Sequence, residues 1–279
     1  MKRKMTLQEI QGVGLEIMKD IHSFCVNNGI RYSLAYGSLL GAIRHKGFIP
    51  WDDDIDIMMP RPDFELFSVL YKSHDCFEMS SVYDAETYVN YTRVYDTRTL
   101  VKLPAWPARH GVGVWVDIFP IDGVSDQIDE RKKQFENLRH YTSLLMEWRR
   151  YISRIHQGKL LTKIKAIYDI IVFKVTNHFE SVHRWHDEIL KICKNHPFGK
   201  TEYCSSLVCV DANKTGRQEV FPASCFSDYQ LSSFNDSEFF IVTKYDEILT
   251  TIFGDYLKLP PVEERTSHVL RDWVFYWKE

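Results

Sequence analysis

Apolar positions recur with two different periods along the first part of the chain, which predicts a mixed domain of helices and short strands. Thr6 and Glu9 have the spacing of a capping box, and apolar residues follow at every third or fourth position up to Asn28. We therefore predict a helix over residues 6–28. The shorter apolar segments that come next predict strands over residues 30–36, 54–59, 77–81, 88–95 and 112–121, with helices over residues 39–45 and 63–71.

The pattern changes after Asp126. Residues 126–195 carry long helical periodicities with few glycines and almost no prolines. A mixed pattern returns further on and predicts short strands near residues 203–210 and 238–242 and a helix over residues 245–253. We therefore predict an α+β fold in which a mixed sheet with flanking helices carries an inserted helical subdomain. The predicted parts are a catalytic core (residues 1–125), the helical subdomain (residues 126–200) and a C-terminal segment that packs back on the core (residues 201–279).

Composition narrows the classes of function. The 279 residues are 44% hydrophobic and 26% charged, as in an ordinary globular protein. A net charge of −3 argues against binding of nucleic acid through bulk electrostatics. The N-terminal segment MKRKMTLQEI lacks the apolar region of a signal peptide, and no window is apolar enough to span a bilayer. The cytoplasm is therefore the expected location.

Carboxylates are concentrated in residues 49–59, IPWDDDIDIMM. On a strand, Asp52, Asp54 and Asp56 would leave the same face, while the intervening isoleucines point to the core. Neighbouring carboxylates repel one another, and a divalent cation is the usual counter-charge. Asp117 in VWVDIFP is the expected third ligand, because an acid among β-forming residues is costly to bury without a partner or a metal. The sequence thus predicts Mg²⁺ (or Mn²⁺) at Asp54, Asp56 and Asp117, with Asp52 as an additional acid.

These residues have other possible interpretations. Most acidic runs are solvated loops, but the alternation with isoleucine favours a metal site. An EF-hand loop is excluded, because that motif requires glycine where this chain has Ile57. A zinc site at Cys204 and Cys209 with His196 is the alternative to reduced, buried cysteines, and the second interpretation is preferred because no CxxC pair is present.

Residues near the acids are suited to bind a nucleotide. Gly37 and Ser38 come just before a predicted helix, where backbone N–H groups bind phosphate. Trp51 could stack on a base or contact a quaternary ammonium group, although packing in the core is the more ordinary role of such a ring. Cations that could contact phosphate oxygens are Arg44, Lys46 and Arg93.

Residues 159–175, KLLTKIKAIYDIIVFKV, combine lysines with a broad apolar face. Such a helix ordinarily packs on the core of its own protein, and we expect that arrangement here. The alternative is an interfacial helix that makes a peripheral membrane contact through the same face.

Three segments together resemble the LicD family. They are YGSLLGAIRHKGFIPWDDDIDIMMPRPDFE from residue 36, VDIFPIDGV from residue 116 and YLKLPPVEERTSH from residue 256. This family contains CDP-choline-dependent phosphocholine transferases of bacterial surface polysaccharides and is related to the fukutin group. The resemblance covers about residues 6–124 and 220–270.

The resemblance implies a nucleotidyltransferase-like fold and a set of site residues. Gly37 and Ser38 match the phosphate-binding turn, Asp54 and Asp56 the paired metal ligands, and Asp117 the third ligand. Serine in place of the threonine that the family often has at position 38 keeps the hydroxyl group. The basic motif near the C-terminus is matched by Arg265 and His268.

The implied activity is metal-dependent transfer of a phospho-alcohol group, foremost phosphocholine from CDP-choline, to a hydroxyl of a cell-surface glycan. Lipopolysaccharide, teichoic acid or a lipid-linked precursor of either would be the acceptor, and the enzyme would act in the cytoplasm or at the inner face of the membrane. Two alternatives remain open at this point. The first is a different CDP-alcohol such as CDP-glycerol or CDP-ribitol, and the second is attack on the α-phosphate of a nucleoside triphosphate.

Overall fold

The computed structural model describes residues 2–82, 91–102, 112–177, 180–209, 219–266 and 273–278. Helices surround a mixed sheet with parallel and antiparallel strands, so the predicted α+β class is confirmed. Within the described residues the helices are α1 (Leu7–Asn28), α2 (Tyr36–Arg44), α3 (Arg61–Leu70), α4 (Ile128–Gln157), α5 (Leu160–Thr176), α6 (Val182–Lys194) and α7 (Tyr245–Phe253).

The strands are short, and most lie in one sheet. Their bounds are β1 (Ser33–Leu34), β2 (Ile55–Pro60), β3 (Phe77–Ser80), β4 (Thr92–Asp96), β5 (Thr99–Lys102), β6 (Trp115–Val124), β7 (Tyr203–Ser205), β8 (Phe221–Pro222), β9 (Tyr229–Phe234), β10 (Ser237–Val242) and β11 (Val274–Trp277). The main sheet has the order β1-β2-β6-β4-β3, with β2 and β6 parallel and the other neighbours antiparallel.

The central strands β2 and β6 are covered by helices. Both α1 and α3 contact these two strands, and every residue of β6 is buried. The C-terminal part of the chain returns to this core: β7 pairs with the end of β6, β8 pairs with β7, and β11 pairs with β5. The domain boundaries given above remain a prediction.

Helix α1 follows its sequence signals closely. Thr6 is the N-cap, and the reciprocal bonds between Thr6 and Glu9 form the predicted capping box. Gly29 ends the helix with a φ of 65°, in the left-handed region that glycine adopts without steric cost.

The predicted boundary between the first strand and α2 is wrong. Strand β1 contains only Ser33 and Leu34, and α2 begins at Tyr36 rather than at residue 39. Tyr36 has a φ of 44°, which is uncommon for a residue with a side chain. The chain therefore turns at Tyr36 itself, and Gly37 and Ser38 lie in the first turn of the helix. An apolar pattern does not reveal such a strained residue.

The predicted end of β6 at residue 121 is also wrong, because the strand continues through Asp122 and Gly123 to Val124. A tertiary ion pair overrides the turn signal of this Asp-Gly sequence. Arg61, at the start of α3, donates from Nε to Asp122 Oδ1 at 2.7 Å and from Nη2 to Oδ2 at 2.6 Å. Strand β7 then pairs with the extended end of β6.

The long helices predicted after Asp126 are present as α4, α5 and α6, but the expected core-facing position of α5 is wrong. Ala166 is the fully buried residue of this helix, whereas Leu161 is 81% exposed and Leu160 is 73% exposed. The apolar pattern predicts a helix, but it does not predict which other part of the protein covers the apolar face. No helix in the described part of the chain is both long and apolar enough to cross a membrane. The cytoplasmic location stays a prediction.

Replacing Arg61 by alanine should lower the free energy of unfolding by about 3–5 kcal/mol, because the carboxylate of Asp122 would stay buried without its partner. Asp122 is 1% exposed, and burial raises its pKa while Arg61 lowers it. Urea unfolding followed by circular dichroism measures the loss. The matched control is Lys19→Ala, which removes the partner of the exposed Asp236 and should leave the unfolding midpoint unchanged. Equal midpoints for both variants would contradict the structural role of the buried pair.

Candidate functional site

Three charged side chains lie in one row across the centre of the sheet. Asp56 on β2 is the register partner of Asp117 on β6, and Asp117 is the register partner of Arg93 on β4. Register partners on adjacent strands point to the same face of a sheet. The sheet therefore brings two of the three predicted metal ligands side by side, although Asp56 and Asp117 are 61 positions apart in the sequence.

Arg93 is the immediate partner of Asp117. Its Nε donates to Asp117 Oδ1 at 2.5 Å and its Nη2 to Oδ2 at 3.3 Å. The guanidinium also lies over the ring of Trp115, 4.5 Å from the centroid, and donates to the hydroxyl of Tyr91 at 2.9 Å. These contacts fix the third carboxylate and its counter-charge in one orientation.

Asp56 lies where the negative charges of the site converge. Burial and then the charges of Asp54, Asp117 and Asp52 raise the pKa of the Asp56 carboxyl well above its usual value, with Arg93 opposing them. A partly buried carboxylate surrounded by further acids is favourable when a cation of high charge is bound among them. The donor set consists of carboxylate oxygens, which are the ligands that Mg²⁺ and Mn²⁺ prefer. The donor chemistry of these residues therefore suits a divalent cation.

Asp54 precedes β2 rather than lying within it, and it belongs to a second acidic group. Oxygens of Asp52, Asp53 and Asp54 all lie within 4.8 Å of one another. Among the described residues, this is the group whose ligand atoms approach closely enough to hold an ion, and the set of Asp54, Asp56 and Asp117 does not reach that spacing. Asp54 belongs to both candidate sets of ligands. Asp53 belongs only to the set with Asp52 and Asp54, so replacing Asp53 tests which set holds the ion.

The N-terminus of α2 faces these acids. The first bond of the helix runs from the Leu39 N–H to the carbonyl of Ala35, so the N–H groups of Gly37 and Ser38 precede the helical ladder. Ser38 is 4% exposed, and its hydroxyl accepts a hydrogen bond from the Asp56 N–H at 2.9 Å. A Cβ atom on Gly37 would come within 2.6 Å of Asp52 Oδ2, so glycine is what allows this carboxylate to approach the helix.

A separate cluster forms where the C-terminal segment meets the end of α2. Arg44 donates to the carbonyl of Tyr256 at 2.8 Å, and the guanidinium of Arg265 lies 5.1 Å from the ring centroid of Trp51. A cavity of about 400 Å³ lies beside them, and Trp51, Arg44, Tyr256, Lys258 and Pro260 are among its lining residues. Trp51, which lines this cavity, directly precedes Asp52 in the chain.

The remaining predicted residues lie elsewhere. Lys46 is exposed on the loop after α2, with a φ of 56°, and its carbonyl accepts a hydrogen bond from the Asn235 N–H of the β9–β10 turn. His268 lies outside the described residues. Burial raises the pKa values of Cys204 and Cys209, as expected for buried thiols, and neither belongs to a group of metal ligands in the described part of the chain.

Glu219 is a residue of the site that the sequence did not indicate. The hydroxyl of Tyr36 donates to Glu219 Oε2 at 3.1 Å, and burial raises the pKa of Glu219 against the effect of that bond. Tyr36 is the first residue of α2, so this bond connects Glu219 to the helix whose N-terminus faces the acids. Glu219 follows a segment without a motif, so only the fold identifies it.

Arg149 is the second such residue and comes from helix α4. Burial, reinforced by the charge of Arg93 and opposed by Tyr91, lowers the pKa of Arg149 to about 10. The helix around it is rich in arginine and lysine, and nothing in the sequence distinguishes Arg149 from its solvated neighbours. The helical segment thus places a cation near enough to Arg93 and Tyr91 for their charges to alter its pKa.

Comparison with known proteins relates this geometry to one family. A family model described as LicD/FKTN/FKRP, nucleotidyltransferase domain, matches residues 29–150. That range contains the charged row of the sheet, the N-terminus of α2 and Arg149.

Two kinds of relatives were found. Lipopolysaccharide cholinephosphotransferase LicD of Haemophilus influenzae is 30% identical to this chain over 285 residues, which cover 97% of this chain and 98% of that protein. Uncharacterized proteins of Rickettsia prowazekii and Rickettsia typhi are each 48% identical over 48 residues, 17% of this chain and 18% and 16% of those proteins.

Replacing Ser38 by alanine should lower the free energy of unfolding by about 1–3 kcal/mol, because the Asp56 N–H would lose its acceptor in a partly buried position. Ser38→Thr is the matched control, since it keeps the hydroxyl and should retain most of that stability. Urea unfolding of the two variants at one pH measures the difference. If Ser38→Thr were destabilised as much as Ser38→Ala, packing rather than this hydrogen bond would be the role of the residue.

Proposed function

The chain belongs to the LicD family, and within it we propose that this protein transfers phosphocholine from CDP-choline to a hydroxyl group of lipopolysaccharide or a related surface glycan. Membership of this family makes the chain a phosphotransferase. The observation that carries the assignment of the site is the register of β2, β6 and β4, which sets Asp56, Asp117 and Arg93 side by side. The acceptor glycan could be lipid-linked when the transfer takes place.

We propose that Asp54, Asp56 and Asp117 hold Mg²⁺ or Mn²⁺. Support comes from the raised pKa of Asp56, which reflects a concentration of negative charge that a divalent cation would neutralise. When bound, such an ion supplies charge neutralisation on the diphosphate and on the departing CMP. Arg93 would then divide its charge between Asp117 and a phosphate oxygen.

The cationic groups around the acids suit the diphosphate of the donor. The N–H groups of Gly37 and Ser38 point from the start of α2, where the helix dipole also favours an anion. Arg93 and Arg149 add two guanidinium charges, which would attract phosphate oxygens. We assign the diphosphate to the space between these two sets of donors.

The cavity beside Trp51 is assigned to the nucleotide part of the donor. Its volume of about 400 Å³ falls within the range of small-molecule sites. The neighbouring Arg265 lowers the pKa of Arg44, after the larger effect of burial, so positive charge already accumulates here. Such an environment is unfavourable for the quaternary ammonium of choline and favourable for a nucleotide, whose base would stack on Trp51.

Glu219 is our candidate for the group that accepts the proton of the acceptor hydroxyl. Asp117 is less suited, because both of its carboxylate oxygens already accept hydrogen bonds from Arg93. In the proposed step the hydroxyl oxygen bonds to the phosphorus of phosphocholine, the bond from that phosphorus to CMP breaks, and the proton passes to the Glu219 carboxylate. Glu219 is oriented for this role by Tyr36.

Replacing Asp56 by asparagine should abolish phosphocholine transfer and stabilise the metal-free chain at neutral pH. The raised pKa of Asp56 means that ionisation destabilises the folded state, and this penalty disappears once the pH falls below the ordinary value of 3.8. The stabilising effect of Asp56→Asn should therefore vanish in acid. Thermal unfolding across this pH range, without metal, measures the effect.

Addition of Mg²⁺ should raise the unfolding temperature of the wild-type chain, by an amount equivalent to about 2.7 kcal/mol at one hundred times the dissociation constant. Asp56→Asn and Asp117→Asn should lose this response, and Asp53→Asn should keep it. A response that is lost in Asp53→Asn and kept in Asp117→Asn would assign the ion to the group of Asp52, Asp53 and Asp54 instead.

Replacing Trp51 by alanine should weaken binding of CMP and of CDP-choline by the same factor, about 5-fold to 150-fold, because stacking of a base contributes about 1–3 kcal/mol. Trp51→Phe should recover part of the affinity. Calorimetry with CMP, CDP-choline, CDP-glycerol and CDP-ribitol in the presence of Mg²⁺ measures both effects and the head-group preference. A loss confined to CDP-choline would assign Trp51 to choline, and release of pyrophosphate from CTP would replace the proposed reaction by nucleotidyl transfer.

A further inference from the structure

Helix α5 presents a wide apolar face to the outside of the molecule. Eight large apolar side chains of this one helix are between 45% and 81% exposed: Leu160, Leu161, Ile164, Ile167, Tyr168, Ile171, Val172 and Val175. Single exposed apolar residues are common on protein surfaces, but a contiguous group of this size marks an interaction surface.

These residues form one continuous stripe, which we call the α5 apolar face. At about 100° per residue, the eight side chains occupy a single arc of about 140° without a charged residue in it. The opposite side of the helix holds it to the protein. Phe173 packs against Trp185 with ring centroids 5.6 Å apart, and Asp169 forms an ion pair with Arg154 of α4 at 3.6 Å. These contacts attach α5 to the neighbouring helices. They leave its apolar face directed outward.

The charged residues along the borders of this face are basic. On the same helical projection, Lys163 lies about 40° beyond one edge and Lys165 about 20° beyond the other. Lys159, at the N-cap position, is also exposed. Asp169, the acid within α5, faces α4 instead. The border of the face is therefore positive, although the chain as a whole has a net charge of −3.

We propose that the α5 apolar face docks on a lipid bilayer with anionic head groups, with the helix lying in the plane of the interface. Aliphatic side chains would enter the boundary between head groups and acyl chains, while Lys163 and Lys165 extend along the surface toward lipid phosphates. A length of about 26 Å and the internal lysines suit a helix that lies on the membrane rather than across it. This inference stands on α5 alone and does not depend on the proposed function.

A second copy of this chain fits the same face less well. Lysine is depleted at protein interfaces, and leucine and valine are under-represented among the residues that dominate binding energy there. A twofold dimer through this face would also bring the basic borders of two copies together, where like charges repel. An anionic membrane surface instead attracts both borders.

Sedimentation of the full chain with vesicles tests the proposal. The wild-type chain should sediment with vesicles that contain phosphatidylcholine and phosphatidylglycerol, and much less with phosphatidylcholine alone. Ile164→Glu should lower the partition coefficient on the anionic vesicles by about tenfold or more. The pair Lys163→Gln and Lys165→Gln should lower it by about fivefold for each lysine, and added salt should weaken the wild type toward the level of that variant.

The matched control is Val69→Glu, which changes an apolar residue of α3 that is 63% exposed outside this face and should leave sedimentation unchanged. Circular dichroism and CDP-choline binding of Ile164→Glu should equal those of the wild type, which separates this test from that of the proposed function. Equal sedimentation of wild type and Ile164→Glu would overturn the proposal. So would a wild-type dimer in size-exclusion chromatography that Ile164→Glu abolishes, because the face would then be a contact between copies.

Discussion

The parallel pairing of β2 with β6 is the constraint on which the site depends. It sets Asp56 next to Asp117 on one face of the sheet, and the antiparallel pairing of β4 adds Arg93 to the same row. Two carboxylates in register repel each other, which lowers the stability of the folded chain. A hydrophobic pair at the same two positions would not have this cost. The raised pKa of Asp56 records that cost.

The rest of the core compensates for this concentration of negative charge. Arg93 is bonded to Asp117 and lies over Trp115, and Arg149 brings a further cation from α4. On the opposite side, the strained Tyr36 lets α2 begin early enough for Ser38 to bond the Asp56 N–H. Backbone strain and like-charge repulsion both lower local stability. Their occurrence together in one small region is typical of functional sites.

Two features outside the sheet extend this picture. The C-terminal segment brings Arg265 to Trp51 and lines part of the cavity beside Trp51, so residues that are 214 positions apart contribute to one region. The helix α5 directs its apolar face outward, because Phe173 and Asp169 attach the other side to the neighbouring helices. A transferase that binds a soluble donor in a cavity and meets its acceptor at a bilayer would use both features together.

The sequence by itself determined the features that depend on neighbours along the chain. The capping box of α1, the bounds of α7, the burial of Ile55 and Ile57 beside the acids and the family motifs all follow from local spacing. The tertiary structure decided what depends on distant partners. Arg61 extends β6 past an Asp-Gly turn signal, Tyr36 contacts Glu219, and Arg93 and Tyr91 alter the pKa of Arg149. A local pattern records the period and polarity of a segment, but which charges meet, and which apolar face stays uncovered, is settled only when strands and helices pack.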